Sequence, residues 1–219
     1  MAEKTNIIAS FDVDPQKGFT PVCPDELPVP DGDGIVGELL LNHEVSSIHV
    51  ASKDWHHPEA LHIATEKNPQ FSPVEGNYPD MDIHWNRHCT AGTTGAEFLD
   101  GLPSPNFYDF IAYKGLEVDM HPYGACYHDF AEEKTTGVIE YLKGKGVTNV
   151  IVGGLATDYC VKLTVVQLLK AGFTVLVNLA ACRGIDKETT SAAFDEMIDY
   201  GAVICGDISG VKERLSKVI

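Results

Sequence analysis

A three-layer α/β/α fold around a six-stranded, mostly parallel sheet is the architecture this 219-residue sequence predicts. Two observations carry the prediction. Six short apolar, β-branched runs recur along the chain, and stretches of helical spacing lie between them. Strands that read as nearly unbroken apolar runs are those buried on both faces, and their alternation with helices marks a parallel sheet covered on both sides. The length and a 44% hydrophobic content suffice for one sizeable core, so residues 1–219 are expected to form a single domain.

The elements follow in order. NIIASFDV (6–13) is the first strand, followed by a helical stretch GIVGELLLN (34–42). SSIHVAS (46–52) and DFIAYK (109–114) are the second and third strands, and EEKTTGVIEYLKGKG (132–146) is the next helix. NVIVGG (149–154) leads into a helix from Asp158 to Gly172, and TVLVNLA (174–180) into KETTSAAFDEMIDYG (187–201). AVIC (202–205) is the last strand, with a helical tail after Ser209. Gly146, Gly172 and Gly201 fall where helices end, a position that favours a residue able to adopt the left-handed conformation. The exception is 55–93, rich in Pro, His, Asn and Asp and without periodicity. A loop of that size inside a compact domain is usually functional or disordered, and its tryptophans and histidines favour function.

Composition narrows the function. A net charge of -16 without a basic cluster repels polyanions, which argues against nucleic acid and for a small neutral or cationic substrate. The opening segment MAEKTNIIASFDVD carries mixed charges and resembles neither a signal peptide nor a membrane span, so no membrane partner and a cytoplasmic location are expected. The six cysteines are scattered without a CxxC pair and are expected as reduced thiols. These residues leave a homo-oligomer open.

In open α/β sheets ligands bind beyond the carboxyl ends of the strands. There the first strand delivers Asp12, the second Lys53-Asp54-Trp55-His56, the third Lys114 and the fourth the segment GLATDYC ending at Cys160. Thr157 or Asp158 is a plausible N-cap, which sets Cys160 in a first helical turn, where free amides and the helix dipole favour a thiolate. Cys160 alone reads more readily as a small buried hydrophobe; the acid and the lysine at neighbouring strand ends favour a nucleophile. Asp14 shares a face with Asp12 in an extended strand and competes with it, but precedes Pro15 and suits a turn, so Asp12 is preferred. A second constellation, Asp54, His56, His62 and His88, has the Asp-x-His spacing of a compact pair of metal ligands, with His84 as a rival to His88. One divalent ion, zinc first and iron or manganese as alternatives, suits such donors.

The ordered set IASFDV, KDWHHPEALH, WNRHCTAGTTGAEF, YKG and GLATDYCV resembles the nicotinamidases of the isochorismatase-like cysteine hydrolase superfamily over nearly the whole chain. The resemblance implies an isochorismatase-like, Rossmann-like fold. It implies a catalytic triad of Asp12, Lys114 and Cys160, metal ligands Asp54, His56 and His88 with His62 as a fourth, and an oxyanion hole from the amides of Ala156 and Cys160 beside a cis peptide. It also implies a substrate pocket of Phe19, Trp85, Tyr123 and Ala156. The family pattern Asp-x-Gln followed by an aromatic residue meets Asp12-Val13-Asp14-Pro15-Gln16-Lys17-Gly18-Phe19, which read from Asp12 inserts two residues before Phe19. Cys126 stands where relatives often have Phe.

The implied activity is hydrolysis of nicotinamide to nicotinate and ammonia through a Cys160 thioester, with pyrazinamide as a second substrate and NAD salvage as the setting. Other small amides, a silent protein binding a metal and a heteroaromatic ligand, and a redox-sensing thiol are the competing readings.

Overall fold

The computed structural model describes residues 6–217. The charged start of the opening segment, 1–5, and the last two residues of the tail lie outside the described residues. Among the described residues six strands form one sheet: β1 (Ile7–Val13), β2 (Ile48–Asp54), β3 (Phe110–Lys114), β4 (Val147–Leu155), β5 (Thr174–Arg183) and β6 (Val203–Cys205). Their order is β3-β2-β1-β4-β5-β6, and among the described residues every pairing in the sheet is parallel.

Among the described residues five α-helices cover the sheet: α1 (Val36–Glu44), α2 (Val138–Gly144), α3 (Lys162–Lys170), α4 (Lys187–Asp199) and α5 (Ile208–Ser216). On one face Phe11, Val13 and Val152 pack with Val138 and Leu142 of α2, Val165 and Leu168 of α3 and Met197 of α4. On the other, Ile151 and Leu176 pack with Ile208, Val211 and Leu215 of α5, while Leu39 of α1 joins a cluster with Leu155 and Ala181. Period-two alternation along each strand sends neighbouring side chains to opposite helix layers, which is why the strands read as unbroken apolar runs.

Helix ends follow local chemistry. Gly146, Gly172 and Gly201 adopt φ values of 73°, 93° and 103°, as the capping expectation requires. Asp186 and Asp207 cap α4 and α5, accepting the amides of Glu188 and Thr189 and of Ser209 and Gly210. The stretch 132–146 becomes helical only from Val138, because the Asp129 carboxylate accepts the amides of Glu133 and Lys134 and Gly137 turns with φ 89°. The segment after β4 also departs from expectation: a π-helical turn, Thr157–Val161, precedes α3.

The chain order reverses between β1 and β4, and a crevice opens there beyond the carboxyl ends of the strands. Val13 is in register with Gly154, whose φ of 135° and 2.0 Å clearance from a built Cβ to the Val13 carbonyl oxygen admit only glycine. The 55–93 loop folds over this end of the sheet through short bridges, His56 to Thr90 and Ile63 to Trp85. No described helix is long and apolar enough to cross a membrane, and all six cysteines are free.

Candidate active site

Lys114, the last residue of β3, is fully buried and its ammonium gathers the site. Nζ lies 3.0 Å from Asp14 Oδ2 and 3.5 Å from Cys160 Sγ, donates to the Pro122 carbonyl at 3.4 Å, and makes a short ion pair with Asp54 Oδ1. Ligand atoms of Asp14, Asp54 and Cys160 lie within 4.8 Å of one another. Ser52 Oγ donates to Asp14 Oδ1 at 2.6 Å and accepts the Asp14 N–H at 3.2 Å.

Asp12 is elsewhere. Its Oδ2 accepts from His43 Nε2 and the Tyr108 hydroxyl, each at 2.8 Å, under α1. The expectation that Asp12 is the acid beside Cys160 is therefore corrected to Asp14. A shared face would require both residues to stay extended, but Asp14 has φ 44° and leaves the strand in the left-handed region. Its carboxylate consequently turns away from the Asp12 side toward Lys114. Read from Asp14, the motif is Asp14-Pro15-Gln16 with no insertion, a sequence signal that identifies the same residue. Buried Gln16 holds Asp54 by its backbone, accepting Asp54 N–H at 2.7 Å and donating to its carbonyl at 2.8 Å.

Cys160 sits in the π-helical turn, and neither Thr157 nor Asp158 caps it: the turn begins after Ala156 without a side-chain cap. Asp158 instead accepts the amides of Ile185 and Asp186 and the Thr189 hydroxyl, tying the turn to the start of α4. The electrostatics also differ from a dipole-stabilised thiolate. Burial pushes the Cys160 thiol well above its ordinary value, and Asp14 and Asp54 raise it further against the opposing Lys114 charge. Burial likewise raises Asp14, with Lys114 opposing. Lys114, which burial alone would lower, is held well above its ordinary value by Asp14, Asp54 and Cys160. The resting arrangement is thus a protonated thiol beside an ammonium and a carboxyl whose proton affinity exceeds that of a solvated one.

A histidine cluster adjoins Asp54. His56 Nε2 and His88 Nε2 lie 3.4 Å and 3.7 Å from Asp54 Oδ2. Each ring is oriented from behind: His56 Nδ1 lies 3.3 Å from the Gly115 carbonyl and His88 Nδ1 lies 2.6 Å from the Asn86 carbonyl. Gly115 is required there, with φ 69° and a built Cβ that would fall 2.4 Å from His56 Nδ1. Against the pull of burial, Lys114 and then His56 hold Asp54 well below the usual carboxylate range. His62 and His121 complete the cluster, with ring centroids 4.1 Å apart and no hydrogen-bond partner for either pair of nitrogens. Burial, then His56 and His88, push His62 down to about 2, so it is a neutral imidazole. Several unpartnered buried nitrogens beside an ionised carboxylate are costly as they stand and fit a divalent cation. The ligand atoms of His56, His88 and His121 lie within 4.8 Å of one another. His121 was not anticipated from the sequence, where it belongs to no spaced motif; His84, the rival to His88, is buried with its backbone N–H on the Ser72 carbonyl and is not part of that trio.

Phe19, Trp85, Tyr123 and Ala156, all expected in the pocket, line a cavity with Asp54, His88, His121, Tyr159 and Cys160. Trp85 Nε1 donates to the Tyr123 hydroxyl at 3.1 Å, which donates to Asp82 Oδ1 at 2.6 Å, fixing both rings. The Leu155–Ala156 peptide is cis. A larger hollow of about 360 Å³ shares Tyr123 and Tyr159 with this cavity.

Known proteins resemble this chain over most of its length. The isochorismatase domain family model matches residues 62–207. A nicotinamidase from Acinetobacter baylyi is 30% identical over 91% of this chain and 92% of its own, and a nicotinamidase/pyrazinamidase from Mycobacterium tuberculosis is 31% identical over 74% and 83%. Among solved structures, an Acinetobacter baumanii nicotinamidase pyrazinamidase superposes with a TM-score of 0.82 at 32% identity, covering 92% of this chain and 97% of that one. A pyrazinamidase of Pyrococcus horikoshii in complex with zinc gives 0.70 at 32%, covering 90% and 97%.

Proposed function

The chain belongs to the isochorismatase family of hydrolases, in its nicotinamidase/pyrazinamidase branch, and from that premise we propose that it hydrolyses nicotinamide to nicotinate and ammonia through a Cys160 thioester. The observation that carries the reading is the buried Lys114 ammonium, 3.0 Å from Asp14 and 3.5 Å from Cys160 Sγ. Pyrazinamide, with a similar ring and the same amide, is the second substrate. The product suits NAD salvage, and six free thiols suit the reducing cytoplasm, where we place the enzyme.

Asp14 takes the thiol proton as Sγ attacks the carboxamide carbon. Burial makes the Asp14 carboxylate a stronger base than a solvated one, and the Lys114 ammonium stabilises the sulfur charge as it forms. The amides of Ala156 and Cys160 receive the oxyanion. Asp14 returns the proton to the departing nitrogen, releasing ammonia, then accepts one from the water that attacks the thioester and passes it to the leaving Cys160 sulfur as the acid is released. Phe19 and Trp85 hold the ring faces, and Tyr123 locks Trp85 in place. Asp54, His56 and His88 would hold the divalent ion, which when bound supplies Lewis acidity at the polar wall of the cavity.

Ammonia release from nicotinamide tests the reading. The wild-type chain should release it and Cys160→Ala should not; normal turnover by the alanine variant overturns the proposal.

A further inference from the structure

The four imidazoles beside Asp54 differ in where their nitrogens stand. His56 and His88 have Nδ1 on backbone carbonyls, which leaves Nε2 of each turned toward Asp54 Oδ2. His121 has neither nitrogen engaged, is 4% exposed, and has a ligand atom within 4.8 Å of those of His56 and His88. That trio does not include His62, the residue expected as the fourth ligand.

We infer that His121 binds the same divalent ion as His56, His88 and Asp54, in the place His62 was expected to fill. The inference rests on the reading that this pocket holds an ion. Its ring lies nearly parallel to that of His56, 23° apart with centroids 5.0 Å distant, and nearly perpendicular to that of His88, at 87° and 5.8 Å. Its backbone is fixed on both sides: its N–H donates to the Asp80 carbonyl at 2.8 Å, and the next residue, Pro122, accepts from Lys114. His62 is also buried with both nitrogens unpartnered, so what sets His121 apart is position: it is His121 whose ligand atom groups within 4.8 Å of those of His56 and His88. Three imidazoles and one carboxylate form a donor set for zinc, iron(II) or manganese. His62 then packs behind the ligands, 4.1 Å from His121 and 4.5 Å from His56 between ring centroids. His121 also faces the cavity beside Trp85, with rings 27° from parallel, so the ion and the aromatic wall share one residue.

Zinc affinity of the metal-stripped full chain, measured by competition with a chromophoric chelator, tests this without any amide present. His121→Ala should weaken zinc binding more than about 100-fold, and His56→Ala should do the same, because loss of an outer-shell partner alone costs about 10–100-fold. His62→Ala should weaken it less than about tenfold. His121→Cys keeps a donor and should bind zinc more tightly than His121→Ala, which separates lost ligation from lost folding. With cobalt(II) in place of zinc, His121→Ala should shift the visible absorption bands and His62→Ala should not. Zinc affinity in His121→Ala equal to wild type, or reduced no more than in His62→Ala, overturns the inference. A chain that shows the predicted zinc pattern but releases no ammonia would count against the hydrolase reading alone.

Discussion

Asp14 Oδ2 and Lys114 Nζ meet at 3.0 Å across the carboxyl ends of β1 and β3, strands separated by β2, with both residues fully buried. The pair exists because a left-handed residue ends β1 and because β2 delivers Ser52 and Asp54 to either side of it. Charge balance at this point couples the chemistry to the fold.

The two aspartates of the first strand should separate cleanly on substitution. Asp14→Asn removes the proton carrier, and turnover of nicotinamide should fall by about 10²–10⁴-fold. Asp12→Asn should leave turnover near wild type while costing about 1–3 kcal/mol in urea unfolding, because it disturbs the buried bonds from His43 and Tyr108. The reverse pattern would restore Asp12 to the catalytic role.

Lys114→Met places an apolar chain between two buried carboxylates. Removing one member of a buried ion pair typically costs about 3–5 kcal/mol, so the urea midpoint should drop sharply along with activity. A variant of unchanged midpoint would mean that the carboxylates do not depend on this cation for their charge.

Gly154→Ala tests the close approach of β4 to β1. A Cβ there would lie 2.0 Å from the Val13 carbonyl oxygen at a φ of 135°, so strain of about 1–3 kcal/mol adds to a clash that must shift the strand end leading into Asp14. Both thermal midpoint and turnover should fall; a variant with wild-type turnover would show that this junction tolerates movement.

The cap of α4 supplies a pH dependence away from the active site. Amides of Thr189 and Glu188 lower the Asp186 carboxyl below its ordinary value. A carboxyl depressed on folding stabilises the native state above its unfolded pKa of about 3.9, and that contribution is lost as pH falls through the lower folded value. Asp186→Asn, which keeps the shape of the cap without the charge, should therefore melt below wild type at neutral pH, with the gap closing under acid conditions. A gap independent of pH would assign the cap to geometry alone.

Much of the molecule was legible from local pattern. The six strand runs and the capping glycines follow from backbone preference and from burial on both sheet faces, which act within a few residues. Cys160, Lys114, Asp54 and His56 stood out because strand ends are where this architecture opens a crevice, and His88 because it stands in a loop rich in histidines. The extent of α2 was less legible, since Asp129 diverts the backbone before Val138 through bonds whose geometry the sequence does not display.

What the amino-acid order determined by itself was the alternation of elements and the kinds of side chain brought to one end of the sheet. Which aspartate meets Lys114 was decided by the left-handed turn at Asp14, and the presence of His121 among the histidines by the path of the chain after β3. Both depend on chain direction over a few residues and on contacts between segments far apart in sequence. Periodicity carries no record of either, because it encodes which face is buried and not where a loop carries a side chain once the strand has ended.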